Sequence, residues 1–249
     1  ALRQVFDGTL TSDGQAVAVI SAISSILTIL LFVWRQWSPF SRVYLRSRPW
    51  AVLIWVALIA CGTVIPSIWL QEQFHGEMSD TTQHLFEQIM KSPWGYVTLG
   101  ILAPIAEESA DRDIHPCSGD VPDTEEEPAE AVLRSLLKLF DSRWHWLPIL
   151  LSALAFGCVH GNMAQFIHAT LIGLLLGWMY YRTDSIVPGI VLHWVNNSVA
   201  YVVYHLFPQT ETLKELFGGD ERTVYYALGC SLCILLPSLF QTAIRIGKR

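Results

Sequence analysis

Long apolar stretches separated by short polar ones dominate the chain. Ala16–Trp34 runs 19 residues without a charged side chain, and Trp50–Leu70 runs 21. Met163–Tyr181 spans 19 residues with one His inside, and Ile186–Phe207 spans 22 with two. Shorter apolar runs lie at Pro93–Ala106, Trp146–Val159 and Val224–Phe240. A bilayer core about 30 Å thick is crossed by about 20 helical residues, so the pattern predicts about seven membrane segments. A soluble bundle built from these runs would need several helices apolar on every face. The expected architecture is all-α: a polytopic transmembrane helical bundle, with residues 1–249 forming a single membrane-embedded domain. No signal peptide is expected, because Arg3, Asp7 and Asp13 precede a first run too long for an h-region.

Composition sharpens this picture. Hydrophobic residues make up 52% of the 249 and charged residues only 15%, against a usual quarter. The formal charge of −6 is local in origin: residues 109–130 hold eight acids and one Arg, a net −7, which leaves +1 for the rest. With no basic patch to hold phosphates, nucleic acid is excluded as a partner. Residues 113–130, acidic and containing Pro116, Pro122 and Pro128, read as a solvated insertion between apolar segments.

The loop charges orient the bundle. Residues 35–49 carry Arg35, Arg42, Arg46 and Arg48 and no acid; residues 71–92 carry Glu72, Glu77, Asp80 and Glu87 against Lys91. The C-terminal end carries Arg245, Lys248 and Arg249. The excess of Lys and Arg places the 35–49 loop, the 113–130 insertion and the C-terminus in the cytoplasm of a protein integral to the cell membrane. Gly173 and Gly177 have the small-xxx-small spacing of close helix packing. Cys61, Cys158, Cys230 and Cys233 lie in apolar runs and are read as small buried side chains, without a redox role.

Ionisable residues inside apolar runs are expensive, so they mark function first. Three clusters qualify. Glu107-Glu108-Ser-Ala-Asp-Arg112 closes the third run; Glu108 and Arg112 are i,i+4 partners, while Glu107 lies about 100° round the helix and is not consumed by that pair. Phe156-Gly-Cys-Val-His160 ends the fourth run. His193-Trp-Val-Asn-Asn197 sits inside the sixth, with Asn197 one turn beyond His193 on the same face. His168 is read as a structural residue of the fifth run, and His205 as interfacial. A Glu, two His and an Asn converging in a bundle supply what peptide hydrolysis needs: a base for water and donors for a tetrahedral oxyanion. The same set suits zinc, with Glu107, His160 and His193 as ligands, although no HExxH helix is present. Spacing leaves both open.

These three motifs, in this order, resemble those of the CPBP intramembrane endopeptidases, the family that includes the type II CAAX prenyl proteases. The family patterns Glu-Glu-x-x-x-Arg, Phe-x-x-x-His and His-x-x-x-Asn/Asp read here as Glu107–Arg112, Phe156–His160 and His193–Asn197. The likeness covers residues 93–207. It implies a helical-bundle protease whose cavity lies in the membrane, with a peptide or protein as substrate and the lipid bilayer as surroundings. By it, Glu107 and His160 activate the water, His193 and Asn197 stabilise the oxyanion, and Glu108 and Arg112 support them. No cofactor is required by this arrangement; zinc is the alternative.

Where the family usually carries Phe-Arg-Gly, this chain has Asp111-Arg112-Asp113, followed by the acidic insertion. An interrupted first motif raises an alternative: a non-catalytic relative that binds a peptide or partner without cutting it. A proton- or metal-coupled transporter is a third reading, since buried Glu and His also mark ion paths, but no inverted repeat or broken-helix pair supports it. Counting residues along the helices sets Glu107 and His160 about 12 Å apart along the bilayer normal. Helix tilt or a turn at Gly161 would have to bring them together.

Overall fold

The computed structural model describes residues 14–34, 50–73, 87–111, 145–158, 160, 163–183, 185–207 and 212–246. Arg112, the 113–130 insertion and the 35–49 loop lie outside the described residues. Each of the seven apolar runs forms a helix: α1 (Gly14–Trp34), α2 (Trp50–Gln73), a π-helix (Tyr96–Leu102) leading into α3 (Ala103–Asp111), α4 (Trp146–Cys158), α5 (Met163–Thr183), α6 (Val187–Leu206) and α8 (Glu221–Arg245). A single turn, α7 (Leu213–Leu216), precedes the last. Among the described residues there is no strand. Among the described residues two helices are long and apolar enough to cross a bilayer, α2 over Ala51–Gln73 and α8.

The surface is inverted relative to a protein in water. On α8, Ser231, Ser238 and Thr242 are buried while Tyr226, Leu236, Phe240 and Ile244 are exposed. On α1, Ile23, Leu27, Leu30 and Trp34 are likewise exposed. Hydrocarbon around the bundle removes the drive to bury large apolar side chains, so small and hydroxyl residues take the helix contacts instead. The cysteines follow the same rule: Cys61, Cys158, Cys230 and Cys233 are free thiols at the exposed surface, not buried side chains as their apolar neighbours suggest.

Close approach holds the bundle together. A Cβ on Gly62 of α2 would stand 2.9 Å from the Leu235 backbone nitrogen of α8. On α5, Gly173 would meet Ala153 Cα at 3.0 Å and Gly177 would meet Ile149 Cγ2 at 2.9 Å. The spacing of these two glycines thus seats α4 along α5. α6 occupies the centre, touching α2, α3, α5 and the π-helix. Val56, Ile59, Leu176, Met179 and Leu192 form the core beneath it. One end of the bundle gathers its cations: the Arg245 guanidinium lies 5.3 Å from the Trp55 ring centre, and Arg182 donates to the carbonyls of Ala243 and Ile246.

Candidate active site

The site is assembled on α6 from its two sides. The π-helix is tied to α6 by polar contacts: Tyr96 Oη lies 3.1 Å from Ser198 Oγ, Trp194 Nε1 donates to Tyr96 Oη at 3.2 Å, and Asn197 Nδ2 donates to the Leu99 carbonyl at 2.9 Å. Its wide turn, with the Ala103 amide bonding five residues back to Thr98, is the kind of local distortion found at functional sites. From this anchor α3 carries two carboxylates onto one imidazole. Glu107 Oε2 lies 3.6 Å from His193 Nε2, and Glu108 Oε1 lies 3.5 Å from His193 Nδ1.

Their surroundings separate the two acids. The Glu107 side chain is 40% exposed and that of Glu108 only 1%. Water can therefore reach Glu107 and cannot reach Glu108. Glu107 thus lies on the more open side of His193, and Glu108 on the sealed side against Nδ1.

His160 enters from the end of α4. Its Nδ1 lies 2.8 Å from the Phe156 carbonyl. A carbonyl only accepts, so Nδ1 carries the hydrogen and Nε2 keeps the lone pair. The Phe156 ring meets both imidazoles edge-on, with centroids 5.0 Å from His160 and 6.0 Å from His193. Asn196 donates to Thr63 Oγ1 at 3.3 Å and ties α6 to α2. Asn197 gives one N–H to Leu99, and an amide has two.

Sequence reasoning set His168 aside as structural. It lies close enough to His160 and His193 to feel their charge, and its Nδ1 is buried without a hydrogen-bond partner. In the sequence it stands eight residues beyond His160, on the next helix. Gly189, one turn before His193, also belongs to the site. Among the described residues no group of three or more His, Cys, Asp or Glu side chains is arranged to hold a metal ion. Glu107 Oε2 and His193 Nε2 are 3.6 Å apart.

Carboxylates and imidazoles meet here inside an apolar helical bundle. Residues 89–199 match the family model described as type II CAAX prenyl endopeptidase Rce1-like, and over that stretch the chain is similar to this family of membrane proteases. Glu107, Glu108, His160, His193 and Asn197 all fall inside the matched stretch. No curated protein and no solved structure gives a significant match.

Proposed function

We propose that this protein is an intramembrane endopeptidase that hydrolyses a peptide bond of a membrane-associated substrate. The family points to a C-terminal CAAX-type peptide as the substrate class. The observation that carries the reading is the pair of adjacent carboxylates on opposite nitrogens of His193, one open to water and one sealed from it. Glu107, with His160 Nε2, takes a proton from a water molecule as its oxygen attacks the scissile carbonyl. The second N–H of Asn197 donates to the tetrahedral oxyanion, joined by His193 Nε2–H with the ring in its protonated form. Its collapse breaks the C–N bond, and the proton held by the Glu107–His160 pair passes to the leaving amine. Glu108 holds His193 throughout, and Arg112 is assigned its support from the motif.

In this reading hydrolysis needs no metal. All seven apolar helices cross the bilayer, and the basic end at Arg182 and Arg245 faces the cytoplasm. The test is cleavage of a peptide library by the purified protein in detergent, wild type beside Glu107→Gln. Cleavage by the wild type and its loss in the variant support the reading. A wild type that cleaves nothing, or a variant that cleaves equally well, overturns it.

A further inference from the structure

The first turn of α6 carries Pro188 and Gly189, both buried. A Cβ on Gly189 would stand 2.5 Å from Glu108 Oε2 and 3.5 Å from Leu176 Cδ2. The obstacle is the far end of a side chain and not backbone, so the helix itself can accept an alanine. The carboxylate cannot keep its place. Gly189 and His193 are one turn apart on the same face of α6, and Glu108 touches both, with Oε2 over the glycine and Oε1 3.5 Å from His193 Nδ1. Leu176, fully buried, also borders the position the new methyl would take, and Glu108 has no solvent to move into.

We infer that Gly189 is a positioning residue: its missing side chain is the seat that sets the Glu108 carboxylate against His193 Nδ1, and so orients the ring that presents Nε2 to Glu107. The inference rests on the peptidase reading above and extends it to a residue that carries no reactive group.

The test is a double-mutant cycle in purified full-length protein. Gly189→Ala pushes the carboxylate off its seat, and kcat is expected to fall about 10–100-fold while KM changes by about twofold or less. Glu108→Asp draws the carboxylate back by one methylene and makes room for the new methyl. The Gly189→Ala/Glu108→Asp protein should therefore be several-fold more active than Gly189→Ala alone, a rescue that a helix-propensity effect would not give. Unchanged kcat in Gly189→Ala overturns the inference, as does a double variant no better than the weaker single. A second readout is independent of catalysis. The melting temperature of the double variant should exceed that expected from adding the two single shifts. Additive shifts overturn the seat, even in a protein that proves not to cleave peptides.

Discussion

Glu107 and His193 meet carboxylate to imidazole, Oε2 3.6 Å from Nε2, with the Glu107 side chain 40% exposed and that of His193 only 10%. A half-open acid against a nearly closed base is an arrangement for handling protons at a water boundary. Glu107→Gln, His160→Ala and His193→Ala are each expected to lower kcat by about 10²–10⁴-fold. Because the three act as a unit, double variants should be little worse than singles. A peptidase assay paired with a thermal-shift measurement separates loss of chemistry from loss of fold.

Glu107 and Glu108 should differ in stability as they differ in exposure. Leaving a buried polar group without its partner costs about 1–3 kcal/mol, and Glu108, 1% exposed, faces His193 from inside the bundle. Glu108→Ala is expected to lower the melting temperature sharply. Glu107→Ala, at a 40% exposed side chain, should change it far less. Equal shifts in the two variants would contradict the burial assigned here.

Helix contacts should tolerate added volume at some glycines and not at others. Gly62→Val forces α2 away from the Leu235 backbone, where the first Cβ already stands 2.9 Å from nitrogen. The cost is about 1–3 kcal/mol, the range for overpacking a tight interface. Gly229→Val on α8 adds volume where nothing lies within 4 Å of the Cβ. A melting curve for each in the same detergent should show a loss only for the first.

Metal content is a further check. Each His193 nitrogen faces a carboxylate oxygen at 3.5–3.6 Å, a spacing that two ligands of one zinc ion would also show, so the metal-free reading is decided by metal content and not by distance. Elemental analysis of active protein should find zinc far below one per chain, and dialysis against a chelator should leave the cleavage rate unchanged. Zinc in proportion to activity would replace the water-activating role of Glu107 with ligation.

The fold was legible because long apolar runs leave few alternatives to helices, and the runs from Ala16–Trp34 to Val224–Phe240 each became one. The site was legible for a related reason: Glu107, Glu108 and His193 stand out against apolar neighbours. Their difference in burial was not. Adjacent glutamates look alike in a sequence, and only side-chain direction leaves one wet and the other sealed. Gly189 was invisible because a glycine in an apolar run reads as packing. The nearness of His168 to His160 and His193 was not legible, because the three sit on different elements. The outward cysteines reversed expectation because burial rules learned in water do not hold against hydrocarbon.

The π-helix Tyr96–Leu102 makes the first motif sensitive to length as well as to composition. Its extra slack sets the angular phase at which α3 leaves the anchor on α6. Removing one residue between the Asn197–Leu99 tether and Ala103 would turn everything downstream by about 100°. Glu107 and Glu108 would then sweep off His193 with every side chain of the motif intact. An insertion or deletion in this stretch thus acts on the helix as a frameshift acts on a gene: it preserves the letters and loses their meaning.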